Sequence, residues 1–210
     1  MGLFERKPYD RSGAMASASK ALARGDRQTA IAEYRKVLEH EPGDEMVLTK
    51  LGDLLAQSNQ HDEARVVLLS AARSFERRGF VDKALAVYAL GVGRMPRDLE
   101  LVNLLADRHA ARGRTAEAVK ALLEARARRR DRPAAIALLQ RALVLQPGHV
   151  DATLDLAKVL AREGRKAEAR ALLAPLVEGA SGRKLRRLRA AQLSVEPSPA
   201  ALWRWLRALF

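Results

Sequence analysis

The sequence predicts an all-α chain of short helices packed antiparallel, and three recurrences carry that expectation. A small residue returns at Ala30, Ala64, Ala84, Ala118, Ala135 and Ala169, with three of the intervals equal to 34 residues. One turn beyond each stands a large apolar residue: Tyr34, Leu68, Tyr88, Leu122, Leu139 and Leu173. Five residues before each stands Gly25, Asn59, Gly79, Gly113, Arg130 or Gly164, and twelve residues after three of them stands Pro42, Pro96 or Pro147. A fixed period of this size marks a repeated supersecondary unit.

Each slot has a physical reason. Glycine between two apolar-periodic runs supplies the left-handed residue that ends one helix and reverses the chain. The anchor alanine, and the residue twelve before it (Ala18, Gly52, Ala72, Ala106, Leu123 or Ala157), fall where two helix axes cross, and all but Leu123 are small enough to let them approach closely. The aromatic or leucine fills the space toward the next helix pair. Proline stops the second helix because it lacks the N–H and clashes with the preceding turn.

Two intervals, 64 to 84 and 118 to 135, are close to half a period. Residues 45–98 and 99–149 therefore read as two tandem three-helix units. Leu51, Asp53, Ala56 and Ala64 match Leu105, Asp107, Ala110 and Ala118 at an offset of 54, and Ala84, Tyr88 and Pro96 match Ala135, Leu139 and Pro147 after a three-residue deletion.

The elements then follow in order. Residues 1–12 are polar and proline-interrupted, and read as an extended N-terminal segment. Helices are expected over 13–24, 27–40, 45–57, 61–78, 81–95, 99–112, 115–130, 133–146, 151–163 and 166–178, with Asp62, Asp82 and Thr115 as N-caps and Pro133 in a first turn. Residues 184–193 form a basic amphipathic helix, and 199–210 a final one with Leu202, Trp205, Leu206 and Leu209 on one stripe. That makes about 11–12 helices by the reading of apolar periodicity.

This skeleton resembles the tetratricopeptide repeat, a 34-residue helix–turn–helix unit, over roughly residues 11–183; the copies at 11–44, 65–98 and 116–149 agree best. The resemblance implies an α-solenoid of antiparallel helix pairs, with a repeat domain at 13–183 and a capping helix and tail at 184–210. The large aromatic that the family often carries early in the first helix is replaced by Ala14 and Leu48. The resemblance also implies a concave groove lined by the first helix of each pair. Carried over position by position, the groove residues are Lys50, Asp53 and Gln57, then Glu100, Asn103 and Asp107, then Asp151, Asp155, Lys158 and Arg162, a mixed to mildly acidic set. The family's carboxylate clamp for chaperone C-termini is not expected, because Met15 and Ser19 occupy its first Lys and Asn positions.

Composition narrows the function classes. Hydrophobic residues make up 48% of the chain, ample for a core, and aromatic residues only 4%. No cysteine is present, which excludes thiolate chemistry and disulfides. The histidines His40, His61, His109 and His149 are widely separated, and neither a zinc-protease motif, a nucleophile elbow nor a phosphate loop occurs. Gly91-Val-Gly93 lies inside a helix and reads as close helix packing. No enzymatic activity, cofactor or metal site is expected. Residues 1–10 lack a secretory apolar segment, and Arg6 argues against N-myristoylation at Gly2, so a cytoplasmic setting is the default expectation.

The net charge of +13 is concentrated. Arg126, Arg128, Arg129, Arg130 and Arg132 face one acid, Asp131, and Arg183, Lys184, Arg186, Arg187, Arg189, Arg204 and Arg207 face one, Glu196. Two function classes follow. The first is an adaptor binding a peptide or protein in the groove. The alternative is a basic surface binder of anionic membrane or nucleic acid through 126–132 and 183–207, with Trp203 and Trp205 as an interface anchor. Helix 184–193 is either a cap over the last apolar face or an electrostatic contact, and helix 199–210 either folds back or docks elsewhere.

Overall fold

The computed structural model describes residues 9–209. Among these it contains twelve helices and no strand: α1 (Arg11–Ala23), α2 (Arg27–His40), α3 (Glu45–Gln57), α4 (His61–Arg77), α5 (Val81–Arg94), α6 (Leu99–Ala111), α7 (Thr115–Ala127), α8 (Arg132–Leu145), α9 (Val150–Arg162), α10 (Lys166–Glu178), α11 (Gly182–Val195) and α12 (Pro199–Arg207). The chain divides into two compact units, 1–105 and 106–210, that part within α6. The expectations for the secretory segment, for Gly2 and for most of the extended N-terminal segment fall on residues 1–8, outside the described residues. Helix α1 begins at Arg11, two residues earlier than the pattern suggests, because Arg11 is held by Glu41 at 3.0 Å and by Asp44.

Two kinds of turn build the stack, and the repeat slots say which goes where. The first is a three-residue reversal around a left-handed residue: Gly25 (φ 76°), Asn59 (60°), Gly79 (79°), Gly113 (71°) and Gly164 (79°). The amide after it donates to the carbonyl five residues back: Asp26 to Ala21, Gln60 to Leu55, Phe80 to Phe75, Arg114 to His109 and Arg165 to Leu160, all at 2.8–2.9 Å. This backbone closure satisfies the orphan carbonyls of the preceding helix. It also places Gln60, Phe80 and Arg114 at the following N-caps, without side-chain cap bonds. The expected caps Asp62, Asp82 and Thr115 therefore lie inside the first turns. There the two aspartates still complement the helix dipole.

Arg130 is the exception among the six slots. Its linker, residues 128–131, is one residue longer and has no left-handed residue. It is braced instead by Arg126, whose Nη1 donates to the Arg129 carbonyl at 3.1 Å.

The second turn follows proline. Pro42, Pro96 and Pro147 are each followed two residues later by a side chain that caps the next helix. Asp44 accepts from the Met46 and Val47 amides at 3.0 Å each, Asp98 from Glu100 (3.0 Å) and Leu101 (3.2 Å), and His149 Nδ1 from Ala152 (3.2 Å). Burial works against the Asp44 carboxylate, but Arg11 and the two capped amides outweigh it and hold the carboxyl below the usual carboxylate range. These three loops bound α3–α5 and α6–α8, the two tandem three-helix units.

The anchors pack as their spacing demands. All six alanines and all six large apolar residues one turn on are at most 2% exposed. Gly52 is tighter still: a Cβ there would lie 2.6 Å from Leu68 Cγ. Gly91 is less tight, with a Cβ there 3.1 Å from Leu101 Cδ1 and 3.5 Å from Leu68 Cδ1, whereas Gly93 faces open space.

The turn at Asn59 gives a direct check. Glycine there removes the strain of a side chain at positive φ, and a β-branched residue adds to it. Asn59→Gly is expected to leave unfolding stability within about 0.5 kcal/mol and Asn59→Val to lower it by about 1–2 kcal/mol, read from urea midpoints.

Candidate partner-binding faces

Zigzag stacking sorts the helices of each unit onto two faces. In the first unit α3 packs against α5 as well as α4. Ser19 and Leu22 of α1 share a depression of about 300 Å³ with Tyr34, Lys50, Asp53 and Leu54. Arg94 of α5 reaches Asp53, with Nε 2.6 Å from Oδ1, and Gln57 Nε2 donates to Asp53 Oδ2 at 2.8 Å. Lys50, Asp53 and Gln57 thus come together on the α1–α3–α5 face. The opposite face carries Arg35 of α2 on Glu63 of α4, at 2.7 and 2.8 Å. Glu100 belongs with that second set: it lies 3.7 Å from Arg65 of α4, beside Asp98. Asn103 is half-buried further along α6.

In the second unit α9 packs against α11 as well as α10. Arg126 of α7 reaches Asp155 of α9, its Nη2 3.2 Å from Oδ1 and its Nε 3.1 Å from Oδ2. From the other side Arg187 of α11 pairs with Asp151. Asp151, Asp155, Lys158 and Arg162 recur at helical spacing, so they line one polar face of α9. Most of the rest of that helix is core, with Ala152, Thr153, Leu154, Leu156, Ala157, Val159 and Leu160 all buried and Val150 and Ala161 half-buried. Asp107 is held by Arg141 of α8.

A feature hidden from the sequence is therefore the occupancy of the acids. Asp53, Asp107, Asp151 and Asp155 each hold an arginine brought from more than 28 residues away. The α9 face is not acidic in effect, because its carboxylates are matched internally. No local signal pairs these residues; only the stacking of alternate helices does.

The basic segments divide in the same way. Arg126 and Arg187 are braces, and Arg189 donates to Gln192 at 2.9 Å. Arg128, Arg130, Arg183, Lys184 and Arg186 are exposed, and Arg129 is half-buried. Helix α11 packs on α9 and α10 with Leu188, Ala191 and Val195 buried. Helix α12 folds back against α11 and buries Ala201, leaving Leu202 and Trp203 exposed and Trp205 half-buried. Arg207 stacks over the Trp203 ring at 5.3 Å.

His40 stacks on Tyr9, and His109 is half-buried with Nδ1 unpartnered. Among the described residues no group of three or more His, Asp or Glu is placed to hold a metal ion, and no helix is long and apolar enough to cross a membrane.

The tetratricopeptide repeat family model matches residues 21–76 and 129–191, more than half of the chain. No curated protein matches it. Among solved structures, MamA protein is 19% identical, with 95% of this chain and 90% of that chain covered and a TM-score of 0.31. YrrB, a TPR protein with an unusual peptide-binding site, is 16% identical over 95% and 86%, with a TM-score of 0.30. PilF of Pseudomonas aeruginosa is 15% identical over 94% and 88%, with a TM-score of 0.31. Paired helices, left-handed glycine reversals and proline stops at the matching positions agree with that assignment: the chain belongs to the tetratricopeptide repeat family.

Proposed function

We propose that this protein is a non-enzymatic adaptor that binds a peptide or protein on the faces made by α1, α3 and α5 in the first unit and by α7, α9 and α11 in the second. Tetratricopeptide repeats generally mediate protein–protein interaction. The observation that carries the finer reading is the α9 face. Its four polar side chains stand on a helix otherwise mostly sunk in core, and two of them are held in place by arginines from both neighbouring helices. A surface ordered before the partner arrives loses less conformational entropy on binding. Lys50, Asp53 and Gln57 supply the corresponding polar set in the first unit. Helix α11 covers the apolar edges of α9 and α10, which supports reading 184–210 as the cap and tail of the repeat array.

Photo-crosslinking tests the faces directly. A benzophenone amino acid placed at Lys50 or Lys158 is expected to capture a partner from cell extract, and the same group at the exposed positions Ser70 of α4 or Ala137 of α8 is not. Capture from Ser70 and Ala137 alone, or equally from all four positions, would remove these faces from consideration.

A further inference from the structure

The second unit carries a depression of about 490 Å³ where the C-terminal end of α9 meets the start of α10 and the end of α11. Lys158, Arg162 and Lys166 line it, together with Ala161, Ser194, Val195 and Pro197. These three cations have no ion-pair or hydrogen-bond partner among the described residues. All three are exposed.

The acids that surround them are already taken. Asp151 holds Arg187, Asp155 holds Arg126, Glu163 holds Arg132 at 2.8 Å, Glu168 holds Arg165 at 2.6 Å, and Glu196 holds Arg170 at 2.9 Å. Four of these acids sit on α9, α10 or the loop between them and Glu196 caps the end of α11, and each is matched by an arginine other than the three lining cations. Lys158, Arg162 and Lys166 are thus left unmatched together in one concavity, beside a small apolar floor of Ala161, Val195 and Pro197, whereas the exposed cations Arg128, Arg130, Arg183, Lys184 and Arg186 lie outside it. Like charges gathered in a concavity reinforce one another's field and favour an anionic ligand.

We propose that this depression anchors an acidic peptide, its carboxylates on Lys158, Arg162 and Lys166 and a small apolar side chain over Ala161, Val195 and Pro197. The proposal rests on the adaptor reading and names the chemistry of its partner. A peptide fits better than a flat anionic surface because the cations face a concavity with an apolar floor, which a row of lipid headgroups does not enter. Ser194 leaves its hydroxyl oxygen as a further polar contact, its own proton being donated to the Ala191 carbonyl at 2.8 Å.

The test is fluorescence anisotropy on the full chain with a labelled peptide of repeated Glu-Glu-Leu units, and with Lys-Lys-Leu units as control. The wild type is expected to bind the acidic peptide, less tightly as salt rises, and to ignore the basic one. Reversing three exposed contacts in K158E/R162E/K166E is expected to weaken the acidic peptide about tenfold. The neutral K158A/R162A/K166A, which avoids new repulsions within the fold, is expected to weaken it by about threefold. Failure of the wild type to bind, equal binding by both variants, or binding to phosphatidylserine vesicles in place of the peptide would overturn the proposal. If the triple variants keep the wild-type affinity for the acidic peptide while the wild type still captures a partner from Lys50 or Lys158, the acidic anchor falls and the adaptor reading stands. If the wild type captures nothing from either Lys50 or Lys158, the adaptor reading itself falls.

Discussion

Gly52→Ala is expected to lower the stability of the first unit by about 1–3 kcal/mol, although alanine is the better helix former. The added methyl would sit 2.6 Å from Leu68 Cγ and 2.7 Å from Cδ2. Leu68 is 1% exposed and cannot swing aside without displacing its own neighbours. Overpacking therefore outweighs the helix-propensity gain, which is about 1 kcal/mol for glycine to alanine. Leu68→Ala alone is expected to cost about 2–5 kcal/mol through lost burial and a cavity. The two changes share one space, so they should not add. G52A/L68A is expected to lose clearly less than the sum of the single variants, since the new methyl fills part of the cavity. Urea denaturation of the four proteins closes the cycle; strict additivity would show that Gly52 and Leu68 do not meet.

The second large effect is electrostatic. Glu45 is only 8% exposed, and its carboxylate accepts from Arg78 at 2.8 and 2.9 Å and from Ser74 at 2.9 Å. Arg78 hydrogen bonding holds the Glu45 carboxyl below the usual carboxylate range, against burial, with Ser74 assisting. The Arg78 guanidinium also lies over the Phe80 ring at 5.1 Å. Removing a charged hydrogen-bond acceptor of this kind with Glu45→Gln is expected to cost about 1.5–3 kcal/mol at neutral pH.

Because the folded-state pKa is depressed, the stabilisation is fully present above the ordinary value of 4.5 and disappears as pH falls through the lower folded value. The difference between wild type and Glu45→Gln should thus be constant above that ordinary value and shrink progressively below it. Denaturation series at neutral and acid pH measure this. A difference that stays constant into acid would show that Glu45 is not held ionised by Arg78.

Much of the architecture was legible because a repeat writes each local decision several times. The left-handed turn residue, the alanine crossing and the proline stop are short-range requirements. The positions Gly25, Asn59, Gly79, Gly113 and Gly164 meet the first of them in the way a backbone reversal must. The starts of α4, α5 and α7 were read correctly, but their capping residues were not Asp62, Asp82 and Thr115. There a backbone hydrogen bond from the preceding helix closes the turn, so no side-chain cap is needed. The real caps, Asp44, Asp98 and His149, follow proline two residues on, a pattern visible in the sequence once the loop geometry explains it.

The polar faces were legible only in part. Helical spacing placed Asp151, Asp155, Lys158 and Arg162 on one side of α9, and Lys50, Asp53 and Gln57 on one side of α3. Spacing could not say that α6 turns Glu100 toward Arg65 of α4, nor that Arg126 is a brace rather than part of a free basic surface.

By itself the sequence determined the all-α class, the helix order, the family and the alternation of glycine reversals with proline loops. These depend on backbone stereochemistry and on apolar periodicity within a few turns of chain. Tertiary structure alone decided which charges are spent and which remain. An ion pair between alternate helices joins residues more than 28 positions apart, and it exists only once the intervening helix has folded between them. That is why the acids of α9 are matched internally while Lys158, Arg162 and Lys166 are left without a charge partner among the described residues.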